Sequence, residues 1–118
     1  MTAVEFHLPT LPPSKNDLRQ RTRTGIARTK LYKAWLKEFG WEMKLQKVRK
    51  VTGPYKLTLQ AKRPEKFGRD LANLLESVSD ALHIYNITDD DAYAEVIFMR
   101  WLTVFDGVTI RVEAAGVE

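Results

Sequence analysis

Apolar and polar residues alternate in four short stretches of the chain, at 4–8, 55–60, 94–101 and 108–112. A two-residue period is typical of β-strands with one buried face, so each stretch is predicted to be a strand. Prolines end the first stretch, and a Gly-Pro turn precedes the second. Asp106-Gly107 is a hairpin turn signal, so the last two strands are predicted to pair as a hairpin.

Two longer stretches have helical spacing instead. From Thr29 to Val48 apolar residues recur every four positions, and Thr29 is a suitable N-cap. Gly40 inside this run costs about 1 kcal/mol relative to alanine, which predicts a kink or an end there and leaves Trp41 on a different surface. The apolar stripe of this run is Leu31, Trp35, Phe39 and Met43.

The second helical stretch is predicted from Asp70 to Leu82. Its apolar residues recur at helical spacing, so its carboxylates must point away from the core. The stripe is Leu71, Leu74, Leu75, Val78 and Leu82.

The predicted elements follow each other as strand, helix, strand, helix, strand, strand, with polar loops at Lys15–Arg28 and Arg63–Gly68. Four short strands require an amphipathic layer over their apolar face. We therefore expect a small α/β (α+β) domain in which two helices pack on one mixed four-stranded sheet. A chain of 118 residues with 44% hydrophobic residues supports one core of modest size. Residues 1–118 are predicted to form a single domain.

Charge is distributed unevenly between the two halves of the chain. Residues 1–50 hold 12 Lys/Arg and 4 Asp/Glu, a net charge of +8, whereas residues 51–118 hold 7 and 11, a net charge of −4. A dense basic run can neutralise several phosphates and gives salt-dependent binding to nucleic acid. Basic runs are also often plain solvated surface, and both interpretations stay open here. The basic run contains Arg19, Arg21, Arg23, Arg28, Lys30, Lys33 and Lys37.

The acidic half opens the second predicted helix with Asp70 and follows that helix with the triple Asp89-Asp90-Asp91. Grouped carboxylates suit Mg²⁺, which takes oxygen ligands and is commonly held by one or two carboxylates together with phosphate oxygens. A solvated turn is the alternative interpretation of the triple. The chain has no cysteine and two histidines, which excludes disulfides and thiolate zinc sites and disfavours a histidine-based metal site.

Membrane and secretory signals are absent from the sequence. No apolar run approaches the roughly 18 residues of a membrane span. The N-terminal residues lack the basic-then-apolar pattern of a secretory signal. We therefore expect no membrane partner and a cytoplasmic location.

Several short motifs then occur in order along the chain. They are Leu11-Pro12-Pro13-Ser14-Lys15-Asn16, Arg69-Asp70-Leu71 with Asn73-Leu74, Asp80-Ala81-Leu82, and Asp90-Asp91. In order and spacing this set resembles the RusA family of Holliday junction resolvases over nearly the whole chain. The resemblance implies a homodimeric, magnesium-dependent endonuclease, with Mn²⁺ able to substitute, that resolves four-way DNA junctions by paired symmetric nicks in recombination and repair. Such enzymes are often encoded by phages, so the expected setting is a bacterial or phage-infected cell.

The resemblance also implies the roles of individual residues. It assigns catalysis and metal binding to Asp70 and Asp91, with Asp90 beside them, and a supporting role to Asn73. The second acidic residue of the family's D-x-D-N motif is Ala72 here, which has no oxygen to offer a metal.

Glu76 is the second departure, because the family often has Lys at this position. Glu76 lies one helical turn beyond Ala72, so we hypothesise that its longer side chain replaces the missing carboxylate. The lost positive charge would then come from Arg69, Lys66 or Lys62. The predicted DNA contacts are Lys15, Arg19, Arg21, Arg23, Arg28, Lys30, Lys66 and Arg69.

Three alternatives remain open. The protein could be a catalytically silent junction-binding protein that has lost the second carboxylate of the motif. It could be an unrelated nucleic-acid-binding domain with an accidental acidic cluster. Ala72 could also be an engineered inactivating change, although that leaves Glu76 unexplained.

Overall fold

A four-stranded mixed sheet with two helices on one face forms the core of the protein, which confirms the predicted fold class. The computed structural model describes residues 3–14, 17–63, 71–89, 93–103 and 106–115. In chain order the elements are β1 (Ala3–Leu8), β2 (Arg19–Thr22), β3 (Gly25–Arg28), α1 (Lys30–Leu45), β4 (Tyr55–Lys62), the 3₁₀ turn η1 (Leu71–Leu74), α2 (Leu75–Ile84), β5 (Ala94–Leu102) and β6 (Val108–Ala114).

One face of the sheet is apolar because successive side chains of a strand point to opposite faces. In register across the sheet, Phe6 pairs with Ile110, Ile110 with Leu59, and Leu59 with Met99. The first three of these side chains are buried under the helices. Helix α1 adds Phe39, whose ring meets Phe6 edge to face at 5.6 Å between centroids.

The strand order is β1-β6-β4-β5, with β4 and β5 parallel and the other neighbours antiparallel. The predicted hairpin between the last two strands is therefore wrong, because β4 lies between them. β4, α2 and β5 form a crossover unit that puts β5 on one edge of β4 and leaves the other edge for β6. A turn signal indicates only that the chain reverses direction. It does not indicate whether the two flanking strands pair with each other or both pair with β4.

The predicted polar loop at Lys15–Arg28 is wrong over its second half. β2 and β3 pair antiparallel there and form a two-stranded hairpin, which we call the arm. The turn at Arg23-Thr24 leads into Gly25, whose φ of 143° favours glycine. The sequence shows no strand signal because neither strand of the arm has a buried side chain and alternation is therefore not required.

Helix α1 begins one residue after Thr29, whose hydroxyl accepts a hydrogen bond from the Tyr32 amide at 3.1 Å, so the predicted cap is confirmed. The predicted end of the helix at Gly40 is wrong, since the helix continues to Leu45. A Cβ atom at Gly40 would lie 2.4 Å from the Tyr85 ring, so the glycine serves close packing between the helices. Leu31 was predicted on the buried stripe but is exposed.

The second predicted helix has a composite structure. It opens with η1 at Leu71, continues as α2 from Leu75, and ends at Ile84, two residues later than predicted. Its predicted first residue, Asp70, lies outside the described residues. Neither helix in the described part of the chain is long and apolar enough to cross a membrane.

Candidate functional site

An open cleft of about 410 Å³ lies between α2 and the start of β5. On the helical side, Glu76 and Asp80 are four residues apart in α2 and therefore share one face, and Ala72 of η1 lines the same cleft. The opposite face of α2 is buried in the core, so this face is left for the cleft. The described residues that line the cleft are Ala72, Leu75, Glu76, Ser79, Asp80, Ala94 and Ile97.

Arg19 of the arm reaches across to both carboxylates of this face. Its Nη2 lies 3.0 Å from Oδ2 of Asp80, and its Nη1 lies 3.6 Å from Oε1 of Glu76. Two like charges four residues apart on a helix destabilise it, so the guanidinium relieves their repulsion. The two ion pairs tie the arm to α2.

Tyr32 of α1 completes the cluster by donating a hydrogen bond from Oη to Oδ2 of Asp80 at 2.9 Å. Burial raises the pKa of the Tyr32 phenol far above its usual range, and the hydrogen bond and the negative charge of Asp80 raise it further. The phenol therefore stays protonated and remains a donor. The guanidinium carbon of Arg28 lies 6.0 Å from the centre of the same ring. Asp80 thus accepts from two elements and is held in place.

The structure brings Glu76 and Ala72 to one cleft, as the four-residue spacing predicts. Asn73 lies in η1 beside them, half-buried, and is not among the described residues lining the cleft. Six predicted site residues lie outside the described part of the chain: Asp70, Asp90, Asp91, Lys15, Lys66 and Arg69.

The described side chains do not by themselves form a metal site. Within 3–14, 17–63, 71–89, 93–103 and 106–115, no group of three His, Asp or Glu side chains comes together in a way that could hold a metal ion. Glu76 and Asp80 offer oxygen donors of the type that Mg²⁺ takes. A complete ligand set in this cleft would need further carboxylates. The sequence has Asp70 two residues before the lining residue Ala72, and Asp90 and Asp91 shortly before the lining residue Ala94.

Lys62 was predicted as one source of the positive charge that the site lacks. Its Nζ lies 3.3 Å from the carboxylate of Asp106, and it is not among the described residues lining the cleft. Arg19 carries the nearby charge instead. The contact of Arg19 with α2 has one signal in the sequence. Glu76 and Asp80 lie one helical turn apart with like charge, and such a pair is stabilised by a cation from another part of the chain.

Asp89, the first residue of the acidic triple, has structural partners. Its carboxylate lies 2.6 Å from Nζ of Lys50 and accepts a hydrogen bond from the Gly53 amide at 2.8 Å. The hydrogen bond from Lys50 is the main cause that lowers the pKa of this carboxyl, followed by the bond from the Gly53 amide. Asp89 therefore joins the loop after α2 to the turn before β4.

We expect Asp89→Asn to weaken the pH dependence of stability in acid. Because the pKa is lower in the folded state, the stabilisation is fully present above the unfolded value of about 3.9 and is lost as the pH falls through the folded value. Melting temperatures followed by circular dichroism from neutral to acidic pH should fall less steeply in the variant than in the wild type. The control is Asp106→Asn, whose carboxylate is largely exposed. Parallel curves for Asp89→Asn and the wild type would contradict the assignment.

The chain matches no model of a known protein family, and no curated protein matches it. Its likeness to the RusA family thus rests on the motifs and their spacing. The described residues themselves form an acidic helix face, an arginine that bridges to it, and an adjacent basic arm.

Proposed function

We propose that the protein is a magnesium-dependent endonuclease that resolves four-way DNA junctions by paired nicks. The observation that carries the proposal is the composition of the cleft beside Glu76. Its lining residue Ala72 comes two residues after Asp70, and Ala94 comes three residues after Asp91. Described residues two positions after Asp70 and three positions after Asp91 therefore line one cleft with Glu76.

In this proposal Asp70, Glu76, Asp90 and Asp91 would hold Mg²⁺, which when bound would supply a Lewis acid for the phosphate oxygens. Oxygen ligands of this kind suit that ion. Asp90 would offer a carboxylate oxygen to orient the attacking water. Asn73 supports this arrangement from η1.

Arg19 supplies the positive charge that the family often takes from the Lys at the position of Glu76. Its guanidinium is 3.6 Å from Glu76 and is fixed by the shorter contact with Asp80. A guanidinium donates hydrogen bonds to phosphate oxygens in a planar fork, and it stays charged at every working pH. Arg19 is thus suited to bind the scissile phosphate beside the metal ligands.

The rest of the arm is suited to hold DNA arms through their phosphates. Arg21 and Arg23 are exposed on the arm, and Lys30 is exposed at the start of α1. Contacts of this kind position the DNA without reading its base sequence. They suit recognition of junction shape.

A second copy of the chain is the proposed partner, and β5 is the proposed interface. β5 is an edge strand whose described neighbour is β4 alone. Its exposed residues include Val96, Ile97 and Phe98, at 49%, 44% and 51% exposure. A long apolar edge strand invites pairing with another strand. Two copies can pair antiparallel about a two-fold axis, which satisfies both edges with the same surface and presents two equivalent sites to a junction.

We expect Phe98→Lys to convert the dimer into a monomer. Phe98 lies opposite Thr58 on the sheet face away from the helices, so a lysine there meets no core residue and acts on the interface alone. Analytical ultracentrifugation should show a halved mass, with unchanged circular dichroism. Leu45→Lys on the exposed end of α1 is the matched control and should remain dimeric. A dimeric Phe98→Lys variant would place the interface elsewhere.

The function is tested by incubating the protein with a labelled four-way junction and with a linear duplex of the same sequence. Symmetric nicks in the junction with Mg²⁺ or Mn²⁺, and none with EDTA, are expected. Cleavage of both substrates alike would exclude a junction resolvase.

A catalytically silent junction-binding protein is the second candidate, and one contact favours it. The guanidinium of Arg19 neutralises Glu76 directly, which is the ordinary role of a surface ion pair. Such a protein binds junctions in EDTA and does not cut them with any metal. The same incubation therefore separates the two candidates.

A further inference from the structure

The two faces of the arm differ completely in composition. Cross-strand neighbours in an antiparallel pair point to the same face, and so do residues two apart on one strand. Arg19 pairs with Arg28, and Arg21 pairs with Ile26, so these four residues share one face. The other face carries Gln20, Thr22, Gly25 and Ala27 and has no charge.

The base of the charged face shows where that face is directed. Arg19 reaches Asp80 and Glu76 on the candidate cleft, and Arg28 lies over the Tyr32 ring. The charged face of the arm is therefore turned toward α1 and α2. Arg21 and Ile26 form the next cross-strand pair on that face, two residues further along the strands toward the tip of the arm.

Ile26 is the unusual member of this face. Its side chain is 75% exposed, the largest exposure among the described large hydrophobic residues, and its flanking positions on the same face are arginines. Ile26 does not belong to the hydrophobic core, and the three residues that share its face of the arm are all cations. The arrangement matches nucleic acid, whose phosphates attract arginine and whose base steps accept an apolar side chain.

We infer that Ile26 inserts between unstacked bases at the branch point of the DNA, while Arg21 and Arg28 bind the phosphates on either side. This inference rests on the proposed function, because it takes branched DNA as the ligand. Unstacking costs a few kcal/mol per base step in continuous duplex and less where stacking is already interrupted. An apolar wedge therefore favours a branch point over linear DNA, and the arm acts as a specificity element beside the cleft.

The experiment compares Ile26→Val with Ile26→Thr in the full chain. Valine and threonine have nearly the same shape and both favour strands, so the two variants differ in apolar character and the arm is kept intact. The probe is a four-way junction with 2-aminopurine at the branch, whose fluorescence rises when the base unstacks. EDTA prevents cleavage. Gln20→Thr on the uncharged face is the control.

The wild type, Ile26→Val and Gln20→Thr are expected to raise the fluorescence alike, whereas Ile26→Thr loses at least about half of the rise. Junction affinity should fall by no more than about tenfold, since phosphate contacts supply most of the binding free energy.

Three results would overturn the inference. The first is an equal rise in 2-aminopurine fluorescence in all variants, and the second is salt-dependent binding of the wild type with no rise in fluorescence. Either result would show that Ile26 does not insert between the bases, and would leave the proposed function intact. A changed sedimentation coefficient of Ile26→Thr without DNA would assign the residue to a protein interface. Equal wild-type affinity for junction and linear duplex would instead refute the proposed function itself.

Discussion

Glu76→Gln is expected to abolish junction cleavage, with a loss of at least about a hundredfold in rate, since a missing ligand removes several kcal/mol of transition-state stabilisation. Glutamine keeps the length of the side chain and an oxygen at the position of Oε1, which lies 3.6 Å from Nη1 of Arg19 in the wild type. The change therefore removes the charge and little else. Single-turnover cleavage of a labelled junction with saturating Mg²⁺ measures the effect.

Asp80→Asn is the matched control for this prediction. Asp80 lies one turn beyond Glu76 on the same face and contacts the same arginine at 3.0 Å, and it also accepts from Tyr32. If the acidic face serves only to anchor Arg19, both amide variants should lose the same activity. Retention of most cleavage in Asp80→Asn, beside its loss in Glu76→Gln, separates ligation from anchoring.

A carboxylate introduced at position 72 makes the test sharper. Ala72 lines the same cleft as Glu76, so Ala72→Asp in the Glu76→Gln background offers an oxygen ligand from the neighbouring turn. Recovery of metal-dependent cleavage in the double variant is expected if the two positions substitute for each other. A wild type that binds junctions but never cuts them, together with cleavage by Ala72→Asp alone, would show that Glu76 does not compensate.

Gly107→Ala is expected to lower the free energy of unfolding by about 3–5 kcal/mol. Gly107 has φ of 81°, and an added Cβ would lie 1.9 Å from the carbonyl oxygen of Leu8 and 2.6 Å from the carbonyl carbon of Pro9. These are backbone atoms, so the clash cannot be relieved by a rotamer change. The Gly107 carbonyl also accepts from the Lys62 amide at 3.0 Å, which fixes the residue between two strand ends.

Gly53→Ala provides the matched control, because Gly53 has a similar φ of 75° with no atom within 4 Å of the added Cβ. It should lose only the conformational part, about 1–2 kcal/mol. Urea denaturation followed by circular dichroism gives both values. Equal losses in the two variants would mean that the chain shifts to relieve the contact at Gly107.

The sequence predicted those parts of the fold that depend on neighbouring residues. Strand alternation located β4 and β6 because their buried side chains all come from one face. The hydroxyl of Thr29 is a local cap, so α1 could be started correctly. Glu76 could be placed near Ala72 for the same reason, since only four positions separate them, and both line one cleft although Ala72 lies in η1 and Glu76 in α2. Fold class followed from the order of these elements.

Tertiary structure decided the features that depend on distant segments. The arm has no buried strand residue and so no alternation, and it is held by its own pairing and by Arg19 on α2. Position 40 takes glycine inside a continuous helix because the Tyr85 ring occupies the space where a Cβ atom would lie. The position of β5 at the sheet edge followed from the crossover through α2. The physical reason is the same in each case: periodicity and capping act within one or two turns, whereas ion pairs, close approach and strand order join residues far apart in sequence, whose proximity arises only when the whole chain has folded.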